Sequence, residues 1–343
     1  MPDTSTRKLV IGDGSWGTSL ALLLARNGHP TVMWSRNPGR AKLLNEARTN
    51  EKYLPGIEFP DNLEISADPF AAAEGIAFAV SVVPTQHLRE VARRFEDALK
   101  GKTPIVTASK GLEIETFRTP SQVLQRALGK RSICVLTGPS HAEEVARGLP
   151  ASLVAGCEDQ DFAIEVQECF SSDTVRVYAH RDARGAELAA ALKNVIALAA
   201  GICDGLKLGD NAKSALITRG VVEMARFGIA HGAEASTFFG LAGIGDLMTT
   251  CFSKHSRNRA VGEKIGQGHS LQEILGEMNM VAEGVWTTKA LFGPEAELEG
   301  VDMPIAEQVH ACLFEGKDPR AASADLMTRS LGGEMTGILE GLA

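Results

Sequence analysis

An α/β domain with a mostly parallel sheet over residues 1–183, followed by an all-α domain over residues 184–343, is the architecture that the sequence predicts. Three observations predict it. Short β-branched runs alternate with helical patterns as far as about residue 180, strand signals then vanish, and 343 residues are too many for one comfortable hydrophobic core. In order, "KLVI" (8–11) reads as a strand, and "GTSLALLLARNG" (17–28) has apolar residues at helical spacing and stops at Gly28. "TVMWS" (31–35) and "AFAVSVV" (77–83) are the next strands, and "TQHLREVARRFEDALKGK" (85–102) is a helix that stops at Gly101. "PIVTAS" (104–109), "SICVLTG" (132–138), "ASLVAG" (151–156) and "VRVYAH" (175–180) complete the strands. Strands joined by helices imply parallel pairing. Beyond residue 184, "ARGAELAAALKNVIALAAGICDGL" (183–206), "NAKSALITRGVVEMARFGIAHG" (211–232) and "SLQEILGEMN" (270–279) are helical in composition and period.

Composition narrows the partners. A formal net charge of −8 argues against broad binding to nucleic acid or an anionic membrane, and leaves room for a local basic pocket that takes a small phosphate. A small-molecule substrate is therefore expected. The cysteines Cys134, Cys157, Cys169, Cys203, Cys251 and Cys312 show neither CxxC pairs nor a Cys/His metal spacing, and no apolar leader follows "MPDTSTRK". Reduced thiols in a cytoplasm are the expected setting, with no metal. The most apolar stretch, "LAAALKNVIALAAG" (188–201), is interrupted by Lys193 and Asn194 and falls short of the roughly 20 residues that span a bilayer, so membrane insertion is not expected. Helical second domains often supply dimer surfaces. A homodimer is the assembly to consider, although no apolar stripe distinguishes an interface from an interdomain core.

Gly12, Gly14 and Gly17, in "GDGSWGT" (12–18), have the GxGxxG spacing where the first strand meets the first helix, the context of a Rossmann-type dinucleotide site. Gly12 permits the tight turn, Gly14 lets backbone approach a pyrophosphate, and Gly17 allows close helix–strand packing, while the helix start supplies amide donors. Ser15 and Trp16, inside the same turn, are candidate cofactor contacts with them. The plainer reading is a tight strand-to-helix turn. Asp13 is an oddity, because a carboxylate near a pyrophosphate is unfavourable unless it points away or is screened by a neighbour. At the end of the second strand, about 20 residues beyond Gly17, stand Ser35 and Arg36 instead of the acid that binds a ribose 2′-hydroxyl. Arg36 suits a 2′-phosphate, which favours NADPH over NADH; an exposed arginine stacking on adenine would not discriminate.

Four further stretches carry the reading beyond the fold: "TASKGLE" (107–113), "LTGPSHAEEVARG" (136–148), "LKNVIALAAGICDGLKLGDNAKSALITRG" (192–220) and "GLAGIGDLMTTCFSKHSRNRAVG" (240–262). With "GDGSWGT" they resemble, in order, the NAD(P)-dependent glycerol-3-phosphate dehydrogenases of the bacterial type, and the match runs on to "VAEGVWTTKAL" (281–291). The resemblance implies an oxidoreductase that interconverts dihydroxyacetone phosphate and sn-glycerol 3-phosphate with NADPH or NADH, supplying glycerophospholipid synthesis.

Reducing a ketone with hydride needs a proton donor at the carbonyl oxygen and an anchor for the rest of the substrate. Lys193 lies in a stretch where every residue from Leu188 to Ala200 except itself and Asn194 is apolar, so its helix is expected to be buried nearly all round. Desolvation there would make it a better acid, while a lysine that snorkels to the surface is the plainer alternative. The resemblance implies that Lys193 is the proton-transfer residue and also touches substrate. Lys110, after the strand "PIVTAS", stands at the carboxyl edge of the sheet, and the resemblance implies contacts to both cofactor and substrate; otherwise it is an exposed loop lysine. Gly138 and Ser140 follow another strand and can offer backbone and hydroxyl groups to substrate, with Ala142 beside the cofactor by the same resemblance. The alternative is a strand-ending turn and helix cap. His141 stands where an aromatic such as Phe is expected. Asp246 can accept from a substrate hydroxyl and steady Lys193 electrostatically. Ser256, Arg257 and Asn258 read as a helix start that can converge on a phosphate, Arg257 also touching cofactor, with a simple helix cap as the alternative. Val281 and Glu283 correspond to cofactor-contacting positions. Substrate is expected between the two domains. Two rival functions stay open: a 3-hydroxyacid or 6-phosphogluconate-type dehydrogenase, which would prefer a carboxylate substrate, and a dinucleotide sensor that binds without turnover.

Overall fold

In the computed structural model, which describes residues 6–99, 101–278, 281–336 and 338, the chain begins with β1 (Arg7–Ile11), α1 (Ser15–Arg26), β2 (Thr31–Trp34), α2 (Pro38–Ala47), β3 (Thr49–Asn50), β4 (Leu54–Glu58) and β5 (Leu63–Ser66). It continues through α3 (Pro69–Ala73), β6 (Ile76–Ser81), α4 (Thr85–Arg94), β7 (Ile105–Thr107), α5 (Pro120–Leu128), β8 (Ile133–Thr137), α6 (Ala142–Ala146), β9 (Ala151–Gly156), α7 (Gln160–Phe170) and β10 (Val175–His180). Eight of these strands form one sheet in the order β10-β9-β8-β7-β6-β1-β2-β5. The run from β5 to β8 is parallel, β9 reverses against β8, and β10 follows β9. The sheet is thus mostly parallel, as expected. Its central strands are buried on both faces, which is why they read as continuous apolar runs: Leu9, Ile11, Val32 and Trp34 pack on one side, Val10, Met33, Phe78 and Val80 on the other. Because β1 lies between β2 and β6, the strand order reverses there, and the carboxyl ends of these strands open the crevice where such sheets bind ligands.

Two departures from the sequence reading have simple causes. The β3–β4 hairpin and the edge strand β5 carry no apolar run long enough to signal a strand; in "LEIS" only Leu63 and Ile65 alternate toward the core. The helix expected to reach Gly101 ends at Arg94, after which Phe95 and Leu99 are buried through a turn.

By compactness the chain forms two units, Met1–Ser109 with Pro120–Ala183, and Lys110–Thr119 with Arg184–Ala343. The second holds α8 (Ala183–Gly205, whose first residue belongs to the first unit), α9 (Asp210–Ala230), α10 (Ala235–Phe238), α11 (Asp246–Phe252), α12 (Arg257–Gly266), α13 (Leu271–Glu277), α14 (Glu283–Leu291), α15 (Pro304–Phe314) and α16 (Pro319–Met327), with no strand among its described residues. The helix expected over 270–279 therefore ends at Glu277, and Asn279 lies outside the described residues. Helix α8 is the axis of this unit. Every residue from Gly185 to Cys203 is buried, so its membrane-like length and hydropathy belong to a core helix. It crosses α12 at glycine on both sides: a Cβ on Gly201 would lie 2.0 Å from the Arg259 carbonyl oxygen, and one on Gly262 would lie 2.0 Å from that of Leu198. Backbone packs directly on backbone there.

Glu223, on α9, is a buried carboxylate that accepts from the first amides of α15, Ile305 N at 2.9 Å and Ala306 N at 2.8 Å. Burial pushes its pKa up to about 7 even though those amides and Arg226 favour the charged form. The folded chain thus holds a proton that the unfolded chain releases near 4.5. Its contribution is full below the unfolded value and is lost as pH rises through about 7, an effect on the order of 3 kcal/mol. The stability of the wild type relative to Glu223→Gln is therefore expected to fall between pH 5 and pH 8. Urea midpoints at both pH values check it, and a constant difference would contradict it.

Candidate active site

In the first unit the glycine-rich turn has the shape its spacing implies. Gly12 adopts a φ of +122°, outside the range of ordinary side chains. Gly17, in the first turn of α1, packs so closely that a Cβ would lie 2.0 Å from the Gly12 carbonyl oxygen. Gly14 is the residue before α1, and nothing lies within 4 Å of the place its Cβ would take. Two glycines close the turn and the third leaves its backbone open, a cradle that fits a dinucleotide pyrophosphate at the start of a helix. Ser15 and Trp16 are half-buried at the start of α1. Asp13 is screened: its Oδ2 accepts from the Ser35 hydroxyl at 2.9 Å and from Arg40 Nε. Arg36 is exposed just past the end of β2.

Gly138 follows β8 with a φ of +131°, and a Cβ there would lie 2.9 Å from the Ser152 carbonyl oxygen. Ser140 Oγ donates to the Gly138 carbonyl at 3.0 Å, which closes the turn, and Ala142 begins α6, buried. His141 is half-buried at the N-cap position and makes no cap bond with its side chain.

The charged centre lies in the second unit. Lys193 projects from the buried middle of α8, Lys110 comes from the 110–119 segment, and Asp246 opens α11. One carboxylate joins both ammonium groups: Asp246 Oδ1 accepts from Lys193 Nζ at 2.9 Å, and Oδ2 accepts from Lys110 Nζ at 2.7 Å. Lys193 is 6% exposed, so it does not snorkel. Its Nζ also donates to Thr250 Oγ1 at 2.7 Å, whose own hydroxyl donates to the Asp246 carbonyl at 2.6 Å. The turn that delivers Asp246 is π-helical over Leu241–Gly245, and Gly243 is packed against backbone, a Cβ there falling 2.0 Å from the Phe238 carbonyl oxygen. The close packing at Gly243 therefore holds the turn that carries the carboxylate.

Burial pushes the Lys193 pKa down to about 8, with Lys110 adding to the fall and Asp246 opposing it. For Asp246, burial acts upward, but Lys110 and Lys193 outweigh it and hold the carboxyl below its ordinary value. The result is a lysine charged at neutral pH and able to release its proton within a small pH interval, which suits a general acid.

Around this centre the predicted residues separate. Ser256 is the N-cap of α12, its Oγ accepting from Arg259 N at 3.2 Å, and Arg257 is exposed beside it. Asn258 is buried and braces three helices, donating to Asn194 Oδ1 at 2.9 Å and accepting from Gly284 N at 2.9 Å. The "SRN" and "VAEG" stretches are thereby brought together, with Val281 half-buried before α14 and Glu283 at its first position. Thr250 was not among the predicted residues. Its place four residues after Asp246 puts it on the same helix face, and that spacing is the signal that could have found it.

Comparison with known proteins follows the same two parts. The family profile described as NAD-dependent glycerol-3-phosphate dehydrogenase N-terminus matches residues 9–163, and that described as the C-terminus matches residues 182–324. A Chlorobium phaeobacteroides protein named glycerol-3-phosphate dehydrogenase [NAD(P)+] is 47% identical over 323 residues, which cover 93% of this chain and 96% of that one. A Listeria innocua protein of the same name is 45% identical over 95% of this chain and 97% of its own. Among solved structures, the glycerol-3-phosphate dehydrogenase of Coxiella burnetii superposes with a TM-score of 0.90 at 36% identity, covering 95% of this chain and all of that one.

Proposed function

The chain belongs to the NAD-dependent glycerol-3-phosphate dehydrogenases, and from that premise we propose how its residues divide the reaction. It interconverts dihydroxyacetone phosphate and sn-glycerol 3-phosphate with NADPH or NADH, a step that supplies glycerophospholipid synthesis. The observation that carries the proposed roles is the buried carboxylate shared by two lysines.

When bound, the reduced nicotinamide supplies the hydride for the substrate's C2. Lys193 gives the proton to the carbonyl oxygen, and it takes the proton back when glycerol 3-phosphate is oxidised. Asp246 keeps Lys193 charged and positioned and accepts from a substrate hydroxyl, while Lys110 balances the second carboxylate oxygen and reaches substrate and cofactor. Arg257 binds the phosphate and touches the cofactor, assisted by the helix start at Ser256 and Asn258; Gly138 and Ser140 complete the substrate's surroundings. Gly12, Gly14, Ser15, Trp16, Gly17, Arg36, Ala142, Val281 and Glu283 hold the dinucleotide. The positive charge of Arg36 at the end of β2 supports NADPH over NADH.

The direct test follows reduced-nicotinamide absorbance with dihydroxyacetone phosphate and each cofactor. Oxidation that needs the phosphate ester is expected, and the absence of oxidation despite dinucleotide binding would defeat the reading. The reaction also has a pH signature. With Lys193 near 8, kcat/KM for ketone reduction is expected to fall as pH rises through about 8, and that for alcohol oxidation to fall as pH drops through it. Profiles in both directions check this, and parallel profiles would remove Lys193 from the proton step. The free thiols, five of the six buried, suit a reducing cytoplasm. Exposed Met248 and Phe252, one turn apart on α11, give the helical unit an apolar face for a homodimer, which sedimentation equilibrium would detect.

A further inference from the structure

The end of β2 lacks an acid in sequence, yet a carboxylate stands there in space. Asp13, from the glycine-rich turn, reaches Ser35, the residue immediately after β2, through the 2.9 Å bond from the Ser35 hydroxyl to its Oδ2. The same oxygen takes Arg40 Nε. Arg40 is in turn held along that edge: its Nη2 donates to Asn50 Oδ1 at 2.7 Å, and its guanidinium lies 4.7 Å from the centre of the Tyr53 ring. Asn50 closes the circuit by donating to the Asp13 carbonyl at 3.0 Å and to Thr18 Oγ1 at 2.7 Å. Asp13 Oδ2 is thus engaged twice, whereas Oδ1 accepts from no donor among the described residues, and the side chain keeps 19% of its surface exposed.

We propose that Asp13 is a cofactor-selecting residue, supplying from the glycine-rich turn the carboxylate that accepts from the adenosine ribose 2′-hydroxyl of NADH. In dinucleotide-binding folds this is the task of an acid at the end of the second strand, and an arginine in that neighbourhood takes the 2′-phosphate of NADPH. Here both chemistries stand at the end of β2, Asp13 bonded to Ser35 and Arg36 the next residue along the chain. Arg36, exposed just past β2, offers its positive charge to the phosphate, and Asp13 offers Oδ1 to the hydroxyl while it ties Arg40 away along its Nε edge. The inference rests on the proposed dinucleotide site and deepens it: the turn tolerates both cofactors, and Asp13 restrains a preference for NADPH that Arg36 and a released Arg40 would otherwise sharpen.

Calorimetric titration of the cofactor-free protein with NADH and with NADPH tests it without reference to turnover. Asp13→Asn keeps the side chain's shape and Ser35's acceptor while removing the charge. It is expected to weaken NADH about tenfold, the scale of a lost charge-assisted hydrogen bond, and to leave NADPH unchanged or tighter. Equal losses for both cofactors would mean that Asp13 only braces the turn, and that result overturns the proposal, as does no change in either. Should the variant fail to fold, the wild type answers alone: NADH lacking the adenosine 2′-hydroxyl is expected to bind about tenfold more weakly than NADH, and equal affinities overturn the assignment. Failure of the wild type to bind either natural cofactor would instead remove the dinucleotide site itself, and the proposal with it.

Discussion

Replacement of Lys193 by alanine is expected to lower turnover with dihydroxyacetone phosphate by about 10²–10⁴-fold, the range attributable to a positioned general acid, with NADPH affinity nearly unchanged. The separation between turnover and affinity is the point of the experiment. Asp246 keeps Lys110 as its partner after the truncation, so the variant does not bury an uncompensated carboxylate and its unfolding midpoint should move little compared with its rate. A small primary ammonium ion added to the assay should restore part of the rate, because the space vacated by the side chain is lined by Asp246 and Thr250, the acceptors that hold Lys193 Nζ in the wild type. Near-normal turnover in the purified variant would sink the proposed role.

The second large effect is on stability. Gly262→Ala is expected to destabilise the protein by about 3 kcal/mol or more, at or beyond the upper end for overpacked sites, since its new methyl group would lie 2.0 Å from a carbonyl oxygen of α8 and neither helix backbone can turn aside. Gly276→Ala is the matched control: it also lies within a helix, nothing stands within 4 Å of its Cβ position, and alanine there should be neutral or stabilising by up to about 1 kcal/mol. Urea unfolding of the two variants decides the matter, because a propensity effect would move both the same way. Gly262→Ala should also reduce activity, as α8 carries Lys193 and Asn194 and α12 carries Asn258, which bonds Asn194 at 2.9 Å.

Much of the fold is legible because burial writes itself into the sequence. Strands covered on both faces are apolar throughout, and α8 is apolar all round, so both are visible without any partner being known. The β3–β4 hairpin and β5 are short and half polar, and only pairing in space identifies them. At the site, local spacing shows what each motif is but not how its polar atoms are used. The helix start at Asn258 is legible as a place for a phosphate, but not the bracing that its carboxamide gives to Asn194 and Gly284. Asp13 was an oddity in the turn because its counter-charge, Arg40, lies 27 residues away. The pairing of Lys110 with Asp246 spans 136 residues and leaves no local trace.

That last pairing also bears on how enzymes of this architecture can be recombined. The segment Lys110–Thr119 is encoded within the first half of the chain but folds with the helical unit. A chimera joined at residue 183, with one parent's first half and another's second, would therefore transplant Lys110 and its neighbours against a foreign Asp246 and a foreign helical core. Such a hybrid would inherit a heterologous interface inside its own charged centre. Exchanging residues 110–119 along with the second half would keep each helical unit with its native lysine, so the covalent joint and the natural unit of exchange are different places in this chain.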